Sequence, residues 1–388
     1  MKQPVRGFSE AEFEARTNLV QARMAAQNID AIFLTTEPNV RYFTGFLTQF
    51  WQSPTRPWFL IVPSHGKPIA VIPEIGAAGM ASTWIDEIHT WPSPQPSDDG
   101  ISIVTGLLRD LSKRHGRIGV TLGHESHLRM PVGDYEKLKS DLADKEIVDV
   151  TMMLRDLRFV KSAAEIEKIE YACQLTSDAF IALPEKLAIG DTEVEACRKL
   201  KIDLLTRGLD SSPYLISGSG PSGYDSIIMG PTDKVINDGD VLIIDTGSTF
   251  DGYHCDFDRN WAFGNVDDAV KRAHEIVHQS TDAGFNAARP GATMADVFHA
   301  MWNVLETGGA LGNDVGRMGH GLGIQLTEGP SIMPTDHTIL SPGAVITLEP
   351  GMEFAKGRQM VHEENIVITE DGARWLTKRA PKDMPVIS

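Results

Sequence analysis

The chain has 388 residues, more than one compact domain usually holds and suited to two. Hydrophobic residues make up 41% and charged residues 23%, ordinary proportions for a globular protein. A net charge of −17 and a pI of about 5.1 exclude nucleic acid as an expected partner, because phosphate binding needs a basic surface. The three cysteines, Cys173, Cys197 and Cys255, make no disulfide framework and suit a reducing compartment. The first residues carry no apolar signal-like run, and no run of 18 apolar residues occurs anywhere. The expectation is a soluble, cytoplasmic protein with no membrane partner.

In chain order, Ser9 can cap a helix that runs to about Gln27, with acids in its first turn. Asp30-Ala31-Ile32-Phe33-Leu34-Thr35 is predicted as a buried strand. Trp58-Phe59-Leu60-Ile61-Val62 and Pro68-Ile69-Ala70-Val71-Ile72 flank Ser64-His65-Gly66-Lys67 and form a predicted hairpin. Helices are predicted near 75–84 and 103–115, then a strand over Arg117-Ile118-Gly119-Val120-Thr121. Strands alternating with helices predict an α/β domain over residues 1–158. The segment from Thr48 to Trp58 is aromatic, holds Pro54 and Pro57, and lies between regular elements. Residue types alone make Trp51 an anchor of that loop onto its own domain.

A long amphipathic helix is predicted from Ser162, and a second from Thr192 to Arg207. Two more are predicted, Val270 to Ala288 and Met294 to Leu305, split by Arg289-Pro290-Gly291. Each helix pair precedes a stretch that reads as two strands joined by a Gly-containing turn. The first runs from Asp240-Val241-Leu242-Ile243-Ile244-Asp245 to Gly252-Tyr253-His254-Cys255-Asp256. The second runs from Val345-Ile346-Thr347-Leu348-Glu349-Pro350-Gly351 to Val361-His362-Glu363-Glu364-Asn365. Between them lies Gly319-His320-Gly321-Leu322-Gly323. The repeat predicts two halves related by a pseudo-twofold axis around a central antiparallel sheet, in an α+β domain over residues 159–388.

Apolar strands that end in a lone acid are odd as pure core, because a buried carboxylate is costly unless it is paired or bound to metal. Four acids and one His converging from two hairpins make an oxygen-rich site for one or two divalent ions.

These motifs carry a resemblance. Asp-x-Gly, then Gly-Tyr-x-x-Asp, His-Gly-x-Gly, Glu-Pro-Gly and Glu-Glu look like the pita-bread metallohydrolases, the group of Xaa-Pro aminopeptidase, prolidase and creatinase. Pro38-Asn39-x-x-Tyr42-x-x-Gly45 is similar to the creatinase-like N-terminal domain of the longer members. Lys161-Ser162-x-x-Glu165-Ile166 is similar to the helix that opens their catalytic domain. The resemblance covers nearly the whole chain. It implies a creatinase-like α/β domain followed by an α+β pita-bread catalytic domain. It further implies that Asp245, Asp256, His320, Glu349 and Glu363 bind two divalent metal ions (Mn, Fe, Co or Zn), with Asp256 and Glu363 bridging. In the family such ions lower the pKa of bound water, and Glu349, beside His320, resembles the carboxylate that takes its proton. A homodimer is also implied, in which Phe50 or Trp51 of one subunit covers its partner's site and meets a cationic substrate.

The chain departs from the peptidases of this group at defined positions. They carry a His 17 residues before the first Asp, where this chain has Ile228, and another seven residues after the metal His, where it has Thr327. A basic residue before the last Glu is replaced by His362, and a Thr after the second Asp by Asp258, which is expected to pair with Arg259. Losing donors to a developing oxyanion costs orders of magnitude in rate. The stretches around His320 and Glu363 look similar to the ectoine hydrolase subgroup, which opens a cyclic amidine. The leading expectation is therefore hydrolysis of a C–N bond in a small zwitterionic nitrogen compound. Thr327, Glu328, His362, Glu364 and Asp258 are its candidate contacts, with Phe50 and Trp51. The alternatives are an Xaa-Pro dipeptidase or aminopeptidase, a lyase on an onium carboxylate such as dimethylsulfoniopropionate, and a catalytically dead binding module. Five intact ligand positions argue against the last.

Overall fold

The structure is a computed structural model that describes residues 2–312 and 316–388. It contains two compact units, Val5–Arg158 and one built from Phe159–Ser388. No helix among the described residues is long and apolar enough to cross a membrane.

In the first unit, α1 (Glu10–Ala26) starts where the Ser9 hydroxyl accepts from the Glu12 N–H, with Glu10 and Glu12 in its first turn. Next come β1 (Ala31–Leu34), buried throughout, and α2 (Glu37–Thr44), which the sequence pattern did not suggest. Pro38 opens α2 and Gly45 closes it in the left-handed region, φ 74°. β2 (Phe59–Pro63) and β3 (Ile69–Pro73) form the expected hairpin, with Phe59 opposite Val71. The helix expected near 75–84 shrinks to α3 (Ala77–Ala81) after a 3₁₀ turn, and the one near 103–115 is α4 (Ile101–Leu111). β4 (Glu87–Trp91), β5 (Arg117–Val120), α5 (Val132–Asp141), β6 (Glu146–Asp149) and α6 (Thr151–Phe159) complete the order. The six strands line up as β4-β3-β2-β1-β5-β6. The two edge strands, β4 and β6, escaped the sequence pattern because they are short, half-exposed and flanked by acids, as edges tend to be.

The second unit opens with α7 (Ala163–Ala182) and α8 (Glu193–Arg207), each held by a reciprocal cap, Ser162 with Glu165 and Thr192 with Glu195. Then follow β7 (Ser211–Pro221), β8 (Asp240–Phe250), β9 (Tyr253–His254) and β10 (Phe257–Phe263). Asp251 and Gly252 make the tight β8–β9 turn with φ of 48° and 74°, the left-handed pair that a two-residue hairpin demands. The pattern repeats with α9 (Asp268–Ala287) and α10 (Met294–Thr307), then β11 (His320–Gly321), β12 (Glu328–Ser331) and β13 (Val345–Leu348). β14 (Gly351–Ala355), β15 (Arg358–Val361), β16 (Glu364–Ile368), β17 (Ala373–Trp375) and β18 (Val386–Ile387) end the chain.

Two differences from expectation stand out. The single central sheet is two five-stranded sheets, β18-β10-β8-β7 with β9 on β8, and β12-β11-β13-β16-β17. The second acid stretch is not one simple hairpin either. β13 pairs with β16, Leu348 opposite Glu364, while β14 and β15 form a separate two-stranded ribbon between Glu349 and Glu363. One apolar core serves both sheets and both helices of the second half. It includes Val241 and Ile243 from β8, Val277 from α9, Met301 from α10, Ile346 from β13 and Ile366 from β16. Fully buried side chains of this kind cost about 2–5 kcal/mol each when cut to Ala, so the strands that carry the acids are held rigidly.

Candidate metal centre

Asp245 sits in the middle of a buried strand, and the other three acids sit at strand ends. Asp245 lies within β8, directly opposite Asp258 on β10. Asp256 comes just before β10, and its backbone is clamped by Asn365: the Asp256 N–H donates to Asn365 Oδ1 at 2.9 Å and the Asn365 amide donates to the Asp256 carbonyl. Glu349 follows β13, its N–H donating to the Met318 carbonyl at 3.0 Å. Glu363 precedes β16. His320 opens β11, where its N–H donates to Thr347 Oγ1 at 3.2 Å and its Nδ1 lies 2.8 Å from the Gly321 carbonyl. That contact leaves Nε2 turned to the acids. Gly319 (φ 143°) must be glycine, since a Cβ there would collide with the Thr347 carbonyl.

These side chains converge. His320 Nε2 is 3.5 Å from Asp256 Oδ2 and 3.9 Å from Glu349 Oε2. Asp256, His320 and Glu363 each offer a donor atom within 4.8 Å of the others, the geometry of a metal site. Asp245 Oδ1, Asp256 Oδ1 and Glu363 Oε1 are buried with no hydrogen-bond partner. A native protein rarely leaves three carboxylate oxygens so, and divalent ions would satisfy all of them. The donor set, carboxylates with one imidazole, fits such ions.

The electrostatics agree. Burial pushes the Asp256 carboxyl up to about 8, against a pull downward from Arg317. Burial, then repulsion from Asp256 and Glu349, drives Asp245 and Glu363 well above the carboxylate range. Glu349 is raised by burial, partly offset by His320. Without cations these acids cannot all ionise; a bound ion inverts that balance.

Two further residues belong to the site and were missed in the sequence. Tyr214 on β7 hydrogen-bonds Asp245, and burial plus the four carboxylates raise its phenol. Arg317 brings Nε to 3.6 Å from Glu349 Oε1 and donates from Nη2 to Thr327 Oγ1 at 3.3 Å. Tyr214 gave no signal, lying in a strand of mixed polarity. Arg317, three residues before His320, had one: a cation beside a metal-ligand motif.

The outer candidates fall elsewhere. Glu328 is buried against Lys161 Nζ at 3.1 Å, so it cannot hold a substrate cation. Glu364 is fully buried and bonded to Arg259 Nη2 at 3.1 Å and Arg379 Nη1 at 3.2 Å. His362 is buried, stacked on His278 and in contact with Arg379 Nη1 at 2.6 Å. Asp258 does not pair with Arg259, whose guanidinium goes to Glu364; both Asp258 oxygens lack partners, and the nearest basic atom is His362 Nδ1 at 3.8 Å. The β-ladder explains this, because adjacent residues Asp258 and Arg259 point to opposite faces. Trp51 is buried in its own unit against Trp58, with the Arg129 guanidinium 5.1 Å from its ring, so it anchors the loop. Phe50 is 41% exposed, Ile228 is 78% exposed, and Thr327 is exposed beside Arg317.

Comparison with known proteins fits this geometry. Residues 167–371 match the model of metallopeptidase family M24, and residues 16–160 match the creatinase/prolidase N-terminal domain. The chain is 31% identical to an Xaa-Pro dipeptidase of Pyrococcus furiosus over 92% of its own length and 95% of that protein's. It superposes on a dipeptidase PepE from Mycobacterium ulcerans with a TM-score of 0.85 at 26% identity, covering 98% of this chain and 99% of that one. A prolidase from Thermococcus sibiricus shares the fold, with a TM-score of 0.87 at 24% identity over 98% of this chain and 100% of that one. These likenesses favour the Xaa-Pro peptidase alternative over ectoine-like hydrolysis.

Proposed function

Because the chain belongs to metallopeptidase family M24 and is a hydrolase of C–N bonds, we propose that it cleaves a small dipeptide of the Xaa-Pro class. In this reading Asp245, Asp256, His320, Glu349 and Glu363 hold up to two divalent ions. The observation that carries it is the set of buried, partnerless oxygens on Asp245, Asp256 and Glu363, clustered with His320. When bound, such ions supply Lewis acidity and bring the pKa of water toward neutrality. The donor set suits Mn, Fe, Co or Zn.

The chain's own residues do the rest. His320 presents Nε2 because Nδ1 is committed to the Gly321 carbonyl. Glu349, its side chain 21% exposed and beside His320, accepts the proton of the attacking water and returns it to the leaving amine. Tyr214 orients Asp245. Arg317, its side chain 30% exposed beside Glu349 and Thr327, holds the substrate carboxylate. It lies beside Thr327, the position where the resemblance places an imidazole, and supplies a cationic donor there. We further propose a homodimer in which the exposed Phe50 meets the substrate of the partner subunit.

A second reading, hydrolysis of a compact zwitterionic nitrogen compound, is favoured by Ile228 and Thr327. Neither can donate the imidazole hydrogen bonds that a peptide transition state uses, and one such donor is worth roughly 3 kcal/mol. The deciding experiment compares rates on Ala-Pro and Gly-Pro with rates on ectoine and related solutes, with manganese or cobalt supplied. Xaa-Pro cleavage with kcat/KM above about 10⁴ M⁻¹s⁻¹, an ordinary enzyme's level, supports the dipeptidase. Trace Xaa-Pro turnover with efficient solute turnover replaces it with the second reading.

A further inference from the structure

The two sheets of the second unit bring different side chains to the acid cluster. Asp245 and Asp256 come with β8 and β10, while His320, Glu349 and Glu363 come with β11, β13 and β16 of the other sheet. After burial, the largest influence raising the Glu363 carboxyl is repulsion from Asp256. Left to that repulsion, the acids of the two sheets would draw apart.

Asn365 ties them together. It lies on β16, an inner strand, opposite Thr347 of β13, and is fully buried. Its backbone carbonyl accepts from the Leu376 N–H at 2.9 Å, so its own position is fixed on both sides. From there its amide reaches Asp256 in the other sheet. Oδ1 accepts from the Asp256 N–H at 2.9 Å, and Nδ2 donates to the Asp256 carbonyl. One side chain thus satisfies both backbone polar groups of one residue, as a strand partner would. Bonds on either side of the same Cα fix where the Asp256 side chain starts and which way it leaves. The Cys173 thiol donates to the same Oδ1 at 3.3 Å, a third contact that holds the amide in place.

Thr347 is the second observation. Its hydroxyl accepts from the His320 N–H at 3.2 Å. Strand alternation continues the face of Thr347 and Asn365 to Glu349, two residues past Thr347, and to Glu363, two before Asn365. One cross-strand pair therefore sets Asp256 and His320 against Glu349 and Glu363. Such accuracy matters for a pair of ions. Ions in two-metal sites stand about 3.5–4 Å apart, and their ligands must be placed to within about 0.5 Å.

We propose that Asn365 is the positioning residue that sets the distance between Asp256 and Glu363, and so decides whether the centre holds two coupled ions or one. The proposal rests on the ion-binding reading above and deepens it, because Asn365 acts only through the Asp256 backbone.

The test is Mn²⁺ titration of the full chain followed by electron paramagnetic resonance. The method counts bound ions and shows an exchange-coupled spectrum only when two of them share bridging ligands. Asn365→Leu keeps the side-chain shape and removes both amide bonds, and Asn365→Ala is a second variant should the first not fold. Glu364→Ala is the comparator for lost stability alone, since its side chain points to the other face. Wild type is expected to bind two Mn²⁺ with a coupled spectrum. Either Asn365 variant should hold the first ion within about threefold, bind the second at least about tenfold more weakly, as loss of an outer partner costs, and lose the coupled signal. Glu364→Ala should unfold more easily and keep that signal. An Asn365 variant with wild-type affinity for the second ion and an intact coupled signal overturns the proposal. So does equal loss of the signal in Glu364→Ala, which makes the effect one of stability. Wild type that binds a single ion overturns it and leaves a one-ion centre standing, whereas wild type that binds none overturns the ion-binding reading as well.

Discussion

Glu363 and Glu364 are neighbours in the chain and almost equally buried, at 3% and 0% exposure, yet their surroundings are opposite. Glu363 faces Asp256, Glu349 and Asp245; burial and that repulsion drive its carboxyl up, and one of its oxygens meets no donor. Glu364 points to the other face of the sheet. There it receives Arg259, Arg379, the Ala380 N–H at 3.0 Å and the Thr377 hydroxyl. Burial raises Glu364 too, but Arg259, His362 and Arg379 outweigh it and hold the carboxyl far below the usual range. A buried carboxylate is tolerated only with compensation. Glu364 has its cations built in, whereas Glu363 and its companions lack theirs. That contrast separates a strut from a site.

Substitution should break the two sides differently. Glu363→Ala should remove bound ions and essentially all activity while the fold persists. Loss of a partner one shell further out commonly costs 10–100-fold, so a ligand itself should cost at least about 100-fold, read by elemental analysis and rate. Glu364→Ala should do the reverse, leaving ion content intact and lowering stability by about 3–5 kcal/mol, because it strands buried Arg259 and Arg379. Denaturant unfolding measures this, and equal ion loss in both variants would erase the distinction.

The pH dependence sharpens the same comparison. Asp256 is raised from 3.8 to about 8 in the folded, ion-free protein. A raised folded pKa means that the stability it allows is present below about 4 and is lost as pH rises through about 8. Ion-free wild type should therefore weaken relative to Asp256→Asn between pH 5 and pH 9, by a few kcal/mol at about 1.36 kcal/mol per unit. Thermal melts at the two pH values give the double difference; a zero difference counts against the acid repulsion.

Smaller effects probe the rim. Arg317→Ala should lower kcat/KM roughly 10–100-fold, the worth of a charge-assisted hydrogen bond of about 1.5–3 kcal/mol. The loss should be much smaller on a substrate whose carboxylate is amidated, and equal losses on both would remove Arg317 from substrate binding. Phe50→Ala should raise KM only a few-fold, in line with about 0.5–1 kcal/mol for an exposed cation–π contact. A monomer by sedimentation, fully active, would end the proposed role of Phe50.

The legible part of this molecule is the part where local chemistry contradicts its setting. Asp245 and Glu349 show in the sequence because an acid terminates Val-Leu-Ile-Ile or Val-Ile-Thr-Leu, and the structure brings both to His320, Asp256 and Glu363. The capped helix from Ser162 shows for the same kind of local reason. The illegible part depends on partners distant in sequence. Nothing near Glu364 or Glu328 reveals Arg379 or Lys161, which lie 15 and 167 residues away. Asp258 and Arg259 are adjacent, and adjacency suggested a pair, but strand alternation sends them apart. Residue types made Trp51 an anchor of its own loop, as the structure has it, but not the identity of its partner, because Arg129, which caps its ring, lies 78 residues on.

The most direct measurement titrates Mn²⁺ or Co²⁺ into chelator-treated protein at pH 7, in buffers of different ionisation enthalpy. With the Asp256 carboxyl held near 8, ion-free protein is mostly protonated there, so ion binding must expel protons. The predicted result is up to two ions per chain, with release of about one proton or more, and loss of this binding in Asp256→Asn. Wild-type protein that binds less than one ion per chain, or an Asp256→Asn variant that binds ions as wild type does, would contradict the account.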